Sequence, residues 1–416
     1  MLRVALLGCG TVGTGVLELL SRSSLPLVVR GVAVAHLDRP RAPVVSPELL
    51  TDRPFELVSQ SDVDVVVELI GGLDPAESLV RAALEAGKDV VTANKALIAE
   101  RGEALLALAR SRGRRLLYEA SVCAGTPVIR AARALAAGGV WRLAGILNGT
   151  CNYVLSRMAA GMEFDDAVRL AQQRGFAEAD PTLDISGRDA AQKLVVLVRE
   201  AMGLVVPPDA FAVEGIAQVR RGDLLAAREQ GYALKLVAVA RRDGEKLQLR
   251  VHPGLIPLGH PLAQVEEELN ALLIESDGTG EVFLRGRGAG ALPTATAVLA
   301  DLLELMTGAG TMTLATPARL SIVPHGEVRA RRLLRIEVAD ELRAVRTLTD
   351  QLAAAGVSLD HLSAYPVPDR GTVLTVLTGR APGANLANAL AALVRADLCT
   401  APVRSYLLEE LGEEGT

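Results

Sequence analysis

Over the first 120 positions, short unbroken apolar runs alternate with stretches whose apolar residues recur at helical spacing. Leu2–Leu7, Gly31–Ala35, Val63–Ile70, Asp89–Thr92 and Arg115–Tyr118 read as strands; Val12–Leu20, Pro75–Ala86 and Leu97–Arg110 read as the helices between them. This βαβ rhythm predicts an open α/β sheet. It stops after Pro127. Val140–Leu147 then reads as a strand of a second sheet, Phe164–Arg174 as an amphipathic helix, and Leu234–Arg241 with Lys246–His252 as a hairpin around Asp243-Gly244. His252 to Pro261 reads as a loop, Asn270–Ser276 and Glu281–Arg285 as strands, and an apolar helix runs through Leu305. A Gly/Pro-punctuated connector over 306–326 precedes a restart of the pattern. Strand Leu333–Val338, helix Val345–Ala355, strand Ser358–Pro366, turn Asp369-Arg370-Gly371, strand Thr372–Thr378, helix Ala384–Val394 and strand Val403–Leu408 give βαββαβ, the order of a small ferredoxin-like domain.

Composition narrows the possibilities. The 416 residues suffice for two or three cores, and 50% apolar content excludes a disordered chain. A formal charge of -5 gives no electrostatic reason to bind nucleic acid. Cys9, Cys123, Cys151 and Cys399 are too widely spaced for a zinc knuckle or a disulfide framework. The apolar run after Met1 is too short for a signal peptide or a membrane span, so no membrane association and a reduced cytoplasmic setting are expected.

Candidate chemistry begins at Gly8-Cys9-Gly10-Thr11-Val12-Gly13, where the glycine spacing after a strand is the dinucleotide fingerprint. At the end of the second strand, Asp38 can accept from a ribose hydroxyl, whereas Arg39 or Arg41 can meet a 2′-phosphate. NAD and NADP therefore both stay open. Lys95 lies just beyond the carboxyl end of a strand, where open sheets bind ligands. Glu119 followed by small residues to Pro127 leaves carbonyls able to converge on a hard cation or a ligand. The densest stretch is Gly175–Lys193. Ser186 and Asp189 have capping-box spacing, Asp189 and Lys193 share a helix face, and Glu178, Asp180 and Asp184 lie on the loop leading in.

Together these motifs resemble homoserine dehydrogenase, specifically the monofunctional bacterial form with a C-terminal ACT domain. The resemblance runs through Gly8-x-Gly10-x-x-Gly13, Glu68-x-x-Gly71-Gly72, Thr92-Ala93-Asn94-Lys95, Asn148-Gly149-Thr150-x-Asn152-Tyr153, Gly175–Lys193 and Gly286–Thr294. It implies a Rossmann-type NAD(P)-binding domain over 1–130 to which 286–318 returns, an α+β catalytic and dimerisation domain over 131–285, and an ACT-like domain over 331–412. It implies interconversion of L-homoserine and L-aspartate 4-semialdehyde with NADP or NAD, in threonine, methionine and isoleucine biosynthesis. Lys193 would move the hydroxyl proton, with Lys95 and Asp189 beside it. Glu178, Asp184, Gly149 and Thr150 would bind substrate. Gly8, Gly10, Thr11, Val12, Gly13, Asp38, Arg39, Lys95 and Gly290 would meet the cofactor. Glu119 with the carbonyls of Val122, Ala124 and Thr126 would hold a sodium ion. A homodimer or higher homo-oligomer is expected.

The chain departs from the family pattern in places. Phe176 stands where Tyr is usual, and Asp340-Glu341-Leu342-Arg343 replaces the Asp-x-Pro-Gly turn of an ACT domain, so little response to threonine is expected. Three other readings compete: a thiolate enzyme using Cys123, a non-catalytic amino-acid sensor, and a reductase for another amino-acid alcohol. Cys123 has no histidine nearby in sequence, and a sensor would show erosion at Lys95, Asp189 or Lys193, all of which are intact.

Overall fold

The computed structural model describes residues 1–308, 320–367 and 371–411. Parts of the expected connector, the first two residues of the expected 369–371 turn, and the ends of the expected ranges at 318 and 412 lie outside the described residues. The chain divides into two compact units, with boundaries that differ from the expected linear ones. The first comprises Met1–Leu143, Asp189–Ala210 and Glu268–Ala318; the second comprises Ala144–Arg188, Phe211–Glu267 and Arg319–Thr416.

The first unit is built on a six-stranded parallel sheet in the spatial order Leu50–Thr51, Leu27–Ala33, Leu2–Leu7, Val65–Glu68, Asp89–Thr92, Leu116–Leu117. Val4 and Leu6 pair with Val29 and Val32 on one side and with Val65 and Val67 on the other. All six are apolar, because a sheet covered on both faces has no solvent side to give to polar residues. The second strand starts four residues earlier than its apolar run suggested, since Leu27 pairs with Leu2 and pairing, not hydrophobicity, sets its start. The order reverses beside the Leu2–Leu7 strand, and the glycine turn leaves from that point. Helix Ala291–Thr307 packs on helix Thr11–Ser21, where a Cβ on Gly15 would lie 2.9 Å from the Ala291 carbonyl oxygen. A hairpin, Leu269–Ser276 with Gly280–Arg287, also belongs to this unit.

The second unit is organised on a longer hairpin, Tyr232–Asp243 with Lys246–Pro257, in unbroken antiparallel register from Asp243↔Lys246 to Tyr232↔Pro257. The stretch read as a loop from His252 is thus strand as far as Pro257. Proline is disfavoured in central strands, but here Leu255 and Ile256 are fully buried and Gly254 and Leu255 take up parallel pairing with Leu407 and Leu408. That pairing joins the hairpin to a four-stranded antiparallel sheet ordered Arg404–Leu408, Arg332–Val338, Gly371–Thr378, Leu359–Val367. Helices Glu341–Ala354 and Gly383–Arg395 pack together over a core that includes Leu334, Ile336, Leu348 and Leu393. Two buried acids fix this module in place. Asp223 accepts from Arg335, Arg404 and the Tyr406 hydroxyl, and Glu409 accepts from Arg250 and His252. No described helix is long and apolar enough to cross a membrane.

Candidate active site

The glycine turn has the geometry that its sequence calls for. Gly8 has φ +102°, where a side chain would meet the Leu69 carbonyl oxygen at 2.8 Å, and a Cβ on Gly13 would lie 2.4 Å from the Gly8 carbonyl oxygen. Gly10 faces open space, which leaves room for a phosphate. The space belongs to a cavity of about 730 Å³ lined by Gly8, Gly10, Thr11, His36, Arg39 and Arg41, among others. Arg41 donates to the carbonyls of His36 (2.6 Å) and Arg39 (2.8 Å), which closes the segment after the second strand into a turn. Asp38 is exposed and does not line the cavity, and Val12 packs against the core beneath it. Gly290, at φ +115°, caps the Ala291–Thr307 helix and is likewise outside the lining.

Lys95, Asp189 and Lys193 form one cluster. Thr92 ends its strand by donating to the buried Glu68 carboxylate, and its hydroxyl accepts from Asn94 N at 3.0 Å. Asn94 then caps the Lys95–Ser111 helix by accepting from Leu97 N at 3.1 Å and ties itself to the Gly72 carbonyl at 2.6 Å. Lys95 is therefore the first residue of a firmly anchored helix. Asp189 lies in the first turn of helix Arg188–Met202. The expected capping box is absent: Ser186 ends a short helix, Thr182–Ile185, which also carries Asp184, and its hydroxyl donates to the Leu183 carbonyl. The Asp189 carboxylate instead meets Lys95 Nζ at 2.8 Å through one oxygen and Lys193 Nζ at 2.9 Å through the other. Its side chain is 3% exposed, against 11% for Lys193 and 33% for Lys95. Burial would raise its carboxyl, but the Lys193 and Lys95 ammonium groups outweigh that and hold it well below the usual carboxylate range.

One carboxylate between two ammonium groups leaves a net positive charge that reaches the surface through the lysines, suited to an oxygen that gains negative charge. The chain has five lysines against thirty-nine arginines, and two of the five stand here. Arginine cannot release its proton; lysine can. Cys123 is buried, at φ +48°, and accepts from Asn270 Nδ2 at 3.4 Å. Burial pushes its thiol up to about 11, which removes the nucleophile the thiolate reading needs.

In the second unit, Gly149 opens helix Gly149–Ala159, which Asn148 caps. Asn148 Nδ2 also donates to Asp184 Oδ1 at 2.7 Å, and Thr150 Oγ1 donates to the Phe176 carbonyl at 2.6 Å. The Phe176 ring packs against Tyr153 at 4.9 Å between centroids. Glu178 is exposed, on the loop before the short helix. Asn94 and Asn148, both in the motifs above, serve the site as helix caps. Their position before each helix is a capping signal that sequence does carry.

Comparisons with known proteins place the chain in a family. A family model described as homoserine dehydrogenase matches residues 127–303, and one described as its NAD-binding domain matches 8–119. The homoserine dehydrogenase of Corynebacterium glutamicum is 39% identical over 86% of this chain and 84% of its own length. That of Neisseria gonorrhoeae is 37% identical over 98% of each chain. This chain belongs to the homoserine dehydrogenase family. The crystal structure of the Thiobacillus denitrificans homoserine dehydrogenase is 38% identical, covers 99% of both chains and superposes with a TM-score of 0.91. A hyperthermophilic archaeal homoserine dehydrogenase mutant, described in complex with NADPH, is 27% identical over 76% of this chain, with a TM-score of 0.63. The protein is accordingly an NAD(P)-dependent oxidoreductase of the homoserine dehydrogenase type.

The sodium ion that the resemblance implies can be tested against the residues present. The Glu119 carboxylate accepts from Ile129 N and Arg130 N, both at 2.9 Å, and so caps helix Val128–Ala136. Thr126 Oγ1 is buried with no hydrogen-bond partner among the described residues. The donor set is therefore oxygen-rich but partly committed. No group of three or more His, Cys, Asp or Glu side chains able to hold a metal occurs among the described residues.

Asp189→Asn is expected to lower the unfolding free energy at pH 7 by about 3 kcal/mol, the low end for stranding a buried pair, because Lys95 is a third exposed. A carboxyl held below its ordinary 3.8 stabilises the fold above that pH and loses this contribution as the pH falls below it. Denaturation curves at several pH values should show the gap between the two proteins narrowing below about pH 4. A gap independent of pH would contradict the pairing.

Proposed function

We propose that Lys193 moves the hydroxyl proton in the interconversion of L-homoserine and L-aspartate 4-semialdehyde, the activity of this family, and that Lys95 neutralises charge on the same oxygen. The observation that carries this reading is that one buried carboxylate, Asp189, holds both ammonium groups. A bound NAD(P) supplies the hydride acceptor or donor. In the oxidising direction, Lys193 first releases its own proton to solvent and then accepts the hydroxyl proton as the carbonyl forms. In the reducing direction, its ammonium returns a proton to the oxygen while Lys95 keeps the developing negative charge in a favourable field. Glu178 is assigned to the substrate ammonium, and Asp184, Gly149 and Thr150 to the remainder of the substrate pocket.

The cofactor is assigned as NADP. Arg39 and Arg41 line the cavity beside the glycine turn and Asp38 does not, which favours a 2′-phosphate over a free ribose hydroxyl. Glu119 and the carbonyls of Val122, Ala124 and Thr126 are assigned to a sodium ion on the strength of donor type alone. Sodium-23 relaxation that is unchanged by Glu119→Gln would remove that assignment. Residues 331–412 are assigned as the ACT domain of a monofunctional bacterial enzyme, supported by the antiparallel sheet order and its two packed helices. In its first turn Asp340 already accepts from Arg343 N at 3.0 Å, and Thr372 donates to Glu341. A homodimer is assigned as well, and a monomeric mass by light scattering at micromolar protein would exclude it.

Lys193→Ala is expected to lower kcat about 10²–10⁴-fold, the range for a lost general acid or base. Its cofactor Kd should stay near that of the parent, because the glycine turn is untouched. Lys193→Arg should fail as well, since a guanidinium cannot release its proton. Steady-state kinetics in both directions tests this, and near-normal kcat in Lys193→Ala would end the assignment. For the cofactor, Arg39→Ala with Arg41→Ala is expected to weaken NADP binding at least about tenfold more than NAD binding, measured by fluorescence titration; equal losses would favour NAD. For the C-terminal domain, calorimetry at millimolar threonine should show little or no heat of binding, and tight binding would overturn the reading of the 340–343 turn.

A further inference from the structure

The helices that carry the two lysines, Lys95–Ser111 and Arg188–Met202, make few close backbone approaches among the described residues. Long side chains join them instead. One tie is Lys95 to Asp189 at 2.8 Å; the other is Arg199 Nη1 donating to the Ile98 carbonyl at 2.9 Å. A single tie leaves a pivot, whereas two ties at separate points fix the angle and the sliding of one helix against the other. The next residue, Glu200, holds the end of its helix from another direction by accepting from Tyr118 and Arg133. Arg199 is thus an arm reaching from a fixed base to the helix that presents Lys95.

The opposite helix is shaped to receive that arm. Gly102 is buried in the interior of a 17-residue helix, where glycine costs about 1 kcal/mol relative to alanine. A Cβ at Gly102 would lie 2.4 Å from Arg199 Nη1 and 3.3 Å from its Cζ. The glycine therefore gives up helix propensity and admits the guanidinium. Arg199 also holds its pose with Nε buried and without a hydrogen-bond partner among the described residues, a cost that burial for packing alone would not explain.

We propose that Arg199 and Gly102 form a latch that positions Lys95 against Asp189 and Lys193, with Arg199 acting as a positioning residue for the reacting pair. The inference rests on the reading of the two lysines given above. Its test is Gly102→Ala, which keeps every charge and evicts the guanidinium from Ile98. A neighbouring cavity of about 490 Å³, lined in part by Arg199, Glu103 and Val205, gives the displaced arm room, so the variant should fold. The unfolding midpoint should stay equal or rise, the NADP Kd should stay within about twofold, and kcat should fall about tenfold, as expected when a reacting group is displaced by a fraction of an ångström. Arg199→Met, which keeps the stem and drops the fork, should lose the same factor and cannot clash. On a Lys95→Ala background, adding Gly102→Ala should cost nothing further, because the group it misplaces is gone. Wild-type kcat in both latch variants, or the same loss with Lys95 already removed, would overturn the latch. If Lys95→Ala and Lys193→Ala themselves keep full kcat, the underlying reading of the lysines fails instead, and the latch with it.

Discussion

The site depends on a single carboxylate. Asp189 is almost wholly buried, and each of its oxygens holds an ammonium group, one from the start of a helix ninety-odd residues earlier and one from the next turn of its own. Burial by itself would raise its carboxyl; the two cations outweigh that, and it holds both of them by ion pairs. Neither lysine is fixed this way without it. The proposed proton transfer would also account for a residue choice, because a chain this rich in arginine places two of its five lysines here, and arginine cannot release its proton.

The rest of the first unit has the features of a dinucleotide-binding fold. The parallel sheet reverses its strand order beside the Leu2–Leu7 strand, and the turn that leaves there is stripped to glycine where a Cβ would strike backbone. Arg39 and Arg41 stand on the wall of the cavity beside that turn, in the segment after the neighbouring strand. In the second unit, the C-terminal module is not a loosely tethered appendage. Its sheet continues the long hairpin through Leu407 and Leu408, and Asp223 and Glu409 anchor it with arginines drawn from both parts.

Much of this was legible in the sequence, for local reasons. Buried parallel strands announce themselves as unbroken apolar runs, and the glycine turn, the Thr92–Lys95 segment and the Gly175–Lys193 stretch are contiguous motifs. What stayed hidden was long-range. Ser186 and Asp189 have the spacing of a capping box, but Gly187 at φ +81° breaks the chain between two helices and frees the carboxylate for Lys95. Pro253 and Pro257 read as loop because strand partners such as Leu236 and Leu407 are invisible locally. The close approach of Arg199 to Gly102 is likewise long-range, and nothing in the local sequence signals it.

The central claim, that Asp189 holds both lysines at once, is most directly tested by carbon-13 NMR of the protein labelled at its lysine ε-methylenes. Five signals are expected, from Lys88, Lys95, Lys193, Lys235 and Lys246. Lys88 and Lys235 donate to backbone carbonyls elsewhere and Lys246 is exposed, so they serve as internal controls. The account predicts that Asp189→Asn moves the Lys95 and Lys193 signals together and leaves the other three in place. A spectrum in which only one of the pair moves would contradict it.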